Sequence, residues 1–301
     1  MRLGAIDLGT NTAILLLADV EQGVLRAVAD FQEMPRLGQG LDRTGRFQKE
    51  AMERTLEAID RHLERAALYK VDQLEMVGTE AVRAAQNRDE LLSALAAKGL
   101  KLRIISGDDE ARLSFLSVAA SLPLPPGGRR SVLDIGGGST ELIVGGAQPQ
   151  RWASVKIGSV RLHERFIHHD PPTAEEQQQL CLAIDSAIEE LPAPEGELVA
   201  LAGTATTLAA LHLGLKNYDG KQVDGLRLSV DRLRDLCNRL GRLTVAERKQ
   251  CPGFDPRRAD VIYAGALILL RVAERAGIAE VVISDRGVRW GVLEELSQAK
   301  R

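Results

Sequence analysis

Two segments of this chain end an apolar run in an aspartate and turn at once through glycine and hydroxyl residues. The first is Ala5-Ile6-Asp7-Leu8-Gly9-Thr10-Asn11-Thr12; the second is Val132-Leu133-Asp134-Ile135-Gly136-Gly137-Gly138-Ser139-Thr140. Glycine lets successive backbone N–H groups come close to an anion and form a concave phosphate cradle. Gly9, Thr10, Asn11 and Thr12, and Gly136, Gly137, Gly138, Ser139 and Thr140, are therefore candidate phosphate ligands. The carboxylates of Asp7 and Asp134 cannot hold phosphate themselves. Their natural partner is Mg²⁺ (or Mn²⁺), which keeps several waters and bridges carboxylate to phosphate oxygen. A single Asp-Gly turn is also what a hairpin needs. Two copies offset by 134 − 7 = 127 residues favour the ligand-binding reading.

Other phosphate motifs do not fit. A Walker A loop needs a lysine after its glycines, and Gly136-Gly137-Gly138-Ser139-Thr140 has none. The dinucleotide fingerprint opens a helix, whereas apolar residues continue as a strand after Thr140. A second matched pair extends the repeat. Leu74 to Thr79 leads into the helical stretch 80–85, and Leu198 to Thr204 leads into 205–211, offset by 203 − 78 = 125. Ile104-Ile105-Ser106 and Val282-Ile283-Ser284 are offset by 284 − 106 = 178, so the second half carries an insertion of about fifty residues late on.

Helical periodicity marks Phe47, Met52, Leu56, Ile59, Leu63 and Ala66 as one amphipathic face. The stretches 174–191 and 230–240 read likewise, and 258–276 reads as a more buried helix. The pattern β-β-β-α-β-α-β-α therefore occurs twice. The strongest loop signal, Leu122-Pro123-Leu124-Pro125-Pro126-Gly127-Gly128, falls between the halves and predicts domains at 1–123 and 124–301. Open α/β sheets bind ligands beyond the carboxyl ends of their strands, so Asp7 and Asp134 are expected to face each other across an interdomain cleft.

Composition narrows the partners. The net charge of −3 argues against a nucleic-acid or anionic-membrane binder, and aromatics at 3% leave little for stacking on bases. Neither a signal peptide nor an apolar run long enough to span a bilayer is present. Three cysteines without CxxC spacing read as thiols of a reduced cytoplasm. Basic residues crowd 216–258 and could track a polyanion; most should lie on solvated helix faces, with Arg258 the best candidate for a phosphate contact. His168-His169, beside Asp170-Pro171-Pro172, reads as loop rather than metal pair.

The whole strand-turn-strand duplication resembles the actin, hexokinase, heat-shock-chaperone and acetate-kinase superfamily, implying duplicated ribonuclease H-like α/β domains. Within it the chain resembles the exopolyphosphatase and guanosine pentaphosphate phosphatase (Ppx/GppA) family over essentially its full length. The matching segments include AIDLGTNT at 5–12, GLDRTGRF at 40–47, GTEAVRAAQN at 78–87, ISGDDEARLSF at 105–115, LDIGGGSTEL at 133–142, KIGSVRLHERF at 156–166, LAGTATTLAAL at 201–211, RADVIYAGALIL at 258–269 and ISDRGVRWG at 283–291. The resemblance implies hydrolysis of terminal phosphates from inorganic polyphosphate, or from guanosine pentaphosphate, with Mg²⁺. A polyphosphate or alarmone sensor is the non-catalytic alternative; it would be expected to lack Glu110 or a loop aspartate, and this chain has them all. It further implies Glu110 as general base, Glu141 near the attacking water, Arg83 reaching the phosphate, and Gly203-Thr204 at the superfamily's nucleotide-side motif. Asp109 stands where the family commonly has a second Glu. Asp224 replaces a usual His, which weakens a phosphate contact there. A homodimer and a preference for short polyphosphates are further expectations, the latter because longer members carry an extra helical domain.

Overall fold

The structure, a computed structural model, describes residues 1–299. It divides into two compact units, Met1–Ser117 with the segment from Val288 onward, and Val118–Gly287. The first unit contains β1 (Arg2–Leu8), β2 (Ala13–Glu21), β3 (Val24–Glu33), α1 (Leu41–Thr44), α2 (Lys49–Leu68), β4 (Gln73–Gly78), α3 (Glu80–Ala84), α4 (Arg88–Ala97), β5 (Leu102–Ile104) and α5 (Gly107–Ser121). Its five-stranded sheet has the order β3-β2-β1-β4-β5. β2 is antiparallel to β1 and β3, whereas β1, β4 and β5 run parallel.

Alternation along β1 builds a core on each face of that sheet. Ile6 and Leu8 join α2 and α4 through Ile59, Leu91 and Leu95. Leu3 and Ala5 face the other way, toward Leu113 of α5 and Trp290, Leu293 and Leu296 of α13 (Val288–Gln298). Asp7 shares the phase of Leu3 and Ala5, so it belongs to the face that α5 covers.

The second unit contains β6 (Arg130–Ile135), β7 (Thr140–Gly145), β8 (Pro149–Val155), α6 (Ser159–Phe166), α7 (Ala174–Ile188), β9 (Glu197–Leu201), α8 (Ala202–Leu213), α9 (Gly220–Val223), β10 (Arg227–Ser229), α10 (Val230–Arg242), α11 (Val245–Arg248), α12 (Ile262–Arg275) and β11 (Glu280–Ile283). Its sheet order is β10-β11-β9-β6-β7-β8. That is the order of the first sheet with one antiparallel strand, β10, added at the edge. The late insertion expected from the repeat offsets lies between β9 and β11, where the first unit has only α3 and α4. One apolar core joins β6, β9 and β11 to α6, α7, α8, α10 and α12.

Two boundaries differ from those read in the sequence. The division falls inside α5, ahead of the proline-rich loop, because the buried Arg130 donates through Nη1 to the Val118 carbonyl (3.3 Å) and ties the last helical turn to β6. The C-terminal helix α13, counted with the second half in the sequence, packs on the first sheet. The contact is close: a Cβ at Gly291 would lie 2.3 Å from the Leu113 carbonyl oxygen. Alanine in place of a mid-helix glycine ordinarily stabilises by about 1 kcal/mol. Here the clash is with backbone, so Gly291→Ala is expected to destabilise by about 1–3 kcal/mol in urea unfolding. A gain in stability would show that α13 does not press on α5.

Candidate active site

Parallel pairing brings the carboxyl ends of β1, β4 and β5 to one edge of the first unit. The chain leaves β1 through Gly9–Thr12, where Gly9 N–H donates back to the Thr12 carbonyl (2.9 Å). It leaves β4 at Gly78, and Thr79 N–H donates to the Leu8 carbonyl (3.2 Å), tying that turn to the end of β1. It leaves β5 into α5. Thr10 and Asn11 are buried; the loop is a packed element.

Arg83 and Glu110 meet at this edge. Arg83 Nη1 donates to Glu110 Oε2 (2.8 Å) and to the Ile105 carbonyl (2.7 Å), while Nη2 donates to Glu80 Oε2 (3.2 Å). Glu110 is 8% exposed. A carboxylate that buried is stable as an ion only when it is paired and hydrogen-bonded, which the guanidinium provides. Two of the three acidic residues at the start of α5 separate by their partners. Asp109 accepts from Ser106 Oγ (2.9 Å), and Ser106 Oγ accepts from Asp109 N–H (3.0 Å), so this pair caps the helix. Glu110 is buried whereas the Asp109 side chain is about half exposed. Glu110 is thus the buried, ion-paired carboxylate of the group, and Asp109 the one that bonds to the capping serine.

In the second unit the register sets a row of side chains across three strands. Asp134 is opposite Glu141, and Glu141 is opposite Ser154. Directly opposed residues share a face, here the one away from the helical core. Glu141 is 1% exposed, and its Oε1 accepts from Ser154 Oγ (2.6 Å). Ser154 escaped the sequence reading; the alternation of β8 between Ala153 and Val155 was its available signal. Ser139 and Thr140 are buried, and Thr140 Oγ1 donates to the Ile157 carbonyl (2.7 Å), so this hydroxyl ties β7 down rather than standing open as a phosphate donor.

Gly203 and Thr204 open α8 after Ala202, whose φ of +68° is a left-handed conformation that costs energy for any residue with a Cβ. A Cβ at Gly203 would fall 1.9 Å from Arg258 Nη1, so the guanidinium lies directly on the glycine. Burial pushes the Arg258 pKa down to about 10, which leaves it charged at neutral pH. Among the described residues it has no ion-pair partner, unlike Arg227, Arg234 and Arg257, which sit in surface pairs as expected. Arg248 departs from that expectation. It is fully buried and donates to the carbonyls of Leu240 (2.9 Å) and Ala259 (3.0 Å), fixing the segment that carries Arg258. Thr204 is buried, and a Cβ at Gly265 would fall 2.4 Å from its Oγ1, so its side chain packs against α12. Asp224 accepts from Ser284 Oγ and Asp285 N–H (both 2.9 Å) and serves the turn after β11.

Among the described residues no group of three or more His, Cys, Asp or Glu is set to hold a metal ion, and His169 instead pairs with Glu176 (2.9 Å). Magnesium needs no such cage; one or two carboxylates and phosphate oxygens suffice. Asp7, and the adjacent Asp134 and Glu141, are hard oxygen donors of that kind. Among the described residues, no helix is long and apolar enough to cross a membrane.

The sequence profile of the Ppx/GppA phosphatase family matches residues 16–299. Exopolyphosphatase 2 of Mycobacterium tuberculosis is 36% identical, with 98% of each chain covered. Exopolyphosphatase 1 of Mycobacterium bovis is 30% identical over 97% of this chain and 87% of its own. The crystal structure of a Ppx/GppA family member from Aquifex aeolicus matches with a TM-score of 0.85 at 32% identity, covering 100% of this chain and 99% of that one. An exopolyphosphatase structure from Cytophaga hutchinsonii matches with a TM-score of 0.91 at 26% identity, covering 99% and 98%.

Behind the first loop, His62 of α2 is fully buried and bonds through Nε2 to the Ala13 carbonyl (3.1 Å), with Arg65 Nη1 3.4 Å from its Nδ1. Nδ1 thus accepts and Nε2 donates, the neutral ring. Burial, first, and the charges of Arg65 and Arg61 push its pKa below 6.5, against the opposing pull of the Ala13 carbonyl and of Glu33. The unfolded chain takes up a proton first, so stability present above about pH 6.5 is lost as pH falls from there through the lower folded value. Unfolding titrations between about pH 7 and about pH 5 should show a flatter decline for His62→Gln than for the wild type. Equal slopes would mean that His62 keeps its proton equilibrium on folding.

Proposed function

This chain belongs to the Ppx/GppA phosphatase family, and on that footing we propose that it removes the terminal phosphate of inorganic polyphosphate by in-line attack of water. The observation that carries the reading is the buried Glu110, ion-paired to Arg83 at the strand edge from which the Gly9–Thr12 loop also emerges. Phosphoanhydride cleavage passes through a loose transition state, so the protein's work is positioning and charge neutralisation. Glu110 is the general base: its carboxylate takes a proton from the water as the oxygen attacks phosphorus. Such a base must be ionised, and the guanidinium of Arg83 suits that state. Arg83 also offers its charge to the phosphate oxygens. In each unit the backbone N–H groups of the glycine loop suit non-bridging phosphate oxygens, and in the second unit Arg258 over Gly203 offers a further fixed cation.

Each unit by itself offers hard oxygen donors that would suit Mg²⁺: Asp7 in the first, and the cross-strand neighbours Asp134 and Glu141 in the second. When bound, that ion would neutralise charge on the phosphate oxygens. Ser154 fixes the Glu141 carboxylate by its hydrogen bond. The chemistry proposed for Glu110 serves any terminal phosphoanhydride, so guanosine pentaphosphate belongs in the same assay.

Phosphate release should be measured from tripolyphosphate, long-chain polyphosphate, guanosine pentaphosphate and ATP, with and without Mg²⁺. Release from polyphosphate that depends on Mg²⁺ and falls about a hundredfold or more in Glu110→Gln is expected, since general bases contribute on that scale. Asp109→Asn should stay within about threefold of the wild-type rate while losing about 0.3–1 kcal/mol of stability, because it removes a negative charge from the first turn of α5. A rate unchanged in Glu110→Gln would remove the base. A clear preference for guanosine pentaphosphate would replace the substrate.

A further inference from the structure

Both glycine loops are tied down from behind through their carbonyls. In the second unit, Ser159 N–H donates to the Gly136 carbonyl (3.0 Å), and the N–H groups of Val160 and Arg161 donate to that of Gly137 (2.9 and 3.0 Å). Arg161 Nη1 then donates to the Gly138 carbonyl (2.7 Å). Three consecutive carbonyls are thus fixed by the first turn of α6. Gly158 makes the approach possible, since a Cβ there would lie 2.5 Å from the Gly137 carbonyl carbon and oxygen. The first unit reaches the same end with a different element. Gly38 N–H donates to the Thr10 carbonyl (2.8 Å) and Arg36 N–H to that of Asn11 (3.1 Å). A Cβ at Gly38 would fall 2.3 Å from Thr10 Cγ2, and Arg36 is held at φ +56°. A left-handed residue with a side chain costs energy, and such strain persists only where its surroundings enforce it.

A trans peptide unit is planar, with its C=O and the following N–H pointing in opposite directions. Carbonyls 136, 137 and 138, held toward α6, therefore turn the N–H groups of Gly137, Gly138 and Ser139 away from it. Carbonyls 10 and 11, held by the 36–38 segment, do the same to the N–H groups of Asn11 and Thr12. None of these five N–H groups has an acceptor among the described residues, although backbone donors in a fold are nearly always paired. We propose that Arg36–Gly38 and Gly158–Arg161 are two braces that aim these amides at the phosphate groups of the substrate, with Arg161 the positioning residue of the second loop. The inference rests on the phosphate-binding reading of the loops given above. Arg161 acts through the Gly138 carbonyl, so its loss should weaken binding more than it slows chemistry at saturation.

Binding of tripolyphosphate to the full chain carrying Glu110→Gln, measured calorimetrically with Mg²⁺, separates binding from turnover. Adding Arg161→Met, which removes the donor, should weaken binding about tenfold. In the otherwise wild-type chain the same change should raise KM by a similar factor and alter kcat less than about threefold. Arg161→Lys, which restores a donor, should recover most of the loss, a rescue that general destabilisation would not give. Gly158→Ala and Gly38→Ala test each brace separately and should weaken binding likewise. Hydrogen exchange supplies a readout on the unsubstituted chain: tripolyphosphate should slow exchange in peptides covering Gly137–Ser139 and Asn11–Thr12. Folded Arg161→Met protein that binds within about twofold of its parent would overturn the brace and leave the loops as phosphate sites. No binding by the parent, with no slowing of exchange, would overturn the phosphate reading itself and the brace with it.

Discussion

Parallel pairing of β1, β4 and β5 in the first unit, and of β6, β9 and β11 in the second, is the constraint on which each unit depends. Strands that run together end together, so the chain must leave the sheet three times along one edge. Each exit strips backbone groups of their sheet partners, and those groups must find others or a ligand. In the first unit the exits are Gly9, Thr79 and Ser106, and the turns bond to one another: Thr79 to the Leu8 carbonyl, and Ile105 to the Gly78 carbonyl. Alternation then chooses the face. Asp7 follows Leu3 and Ala5, and α5 covers that face through Leu113. No loop has to search for this arrangement; the sheet order and a two-residue period dictate it.

The Arg83 cluster couples this edge to stability. One guanidinium serves Glu110, Glu80 and the Ile105 carbonyl, with both ion-paired side chains largely out of solvent. Removing one member of a buried ionic cluster leaves the others uncompensated and commonly costs about 3–5 kcal/mol. The cluster is also local: Glu80 and Arg83 lie one turn apart on α3, so their pair needs no long-range order to form. What the fold adds is Glu110, brought from the exit of the neighbouring strand.

Much of this was legible in the sequence because it was written in repeats and periods. The Asp-Gly loops, the strand–helix alternation and the late insertion in the second half follow from offsets and apolar spacing alone. Three things were not. Asp109 and Glu110 are equally acidic neighbours, and only the cap on Ser106 and the pair with Arg83 separate them. The destination of α13 is a tertiary choice; its apolar face could cover either sheet, and the close approach at Gly291 records which one it covers. Arg248 reads as one more cation in a basic run, yet two carbonyls from non-adjacent segments hold it fully buried. Period reports which residues face a core. It does not report which polar groups are shared between distant segments.

The duplication also shows how the buried charges are divided between the repeats. Carrying Glu141 back by the loop offset, 141 − 127 = 14, gives Ile14. Carrying Arg83 forward, 83 + 125 = 208, gives Leu208, a fully buried core residue of the second unit. Carrying Glu110 forward, 110 + 178 = 288, gives Val288, which begins α13 and packs in the core beneath the first sheet. Each of the three charged side chains thus has an apolar counterpart in the other repeat, whereas the loop aspartates Asp7 and Asp134 are retained in both. A buried charge must be matched by a partner that the same unit supplies. Arg83 has Glu80 and Glu110 in the first unit, and Glu141 has Ser154 in the second; Leu208 and Val288 need no such partner. The repeats therefore share the strand-end aspartate and its glycine turn, and differ in which of them carries each buried charge and the partner that holds it.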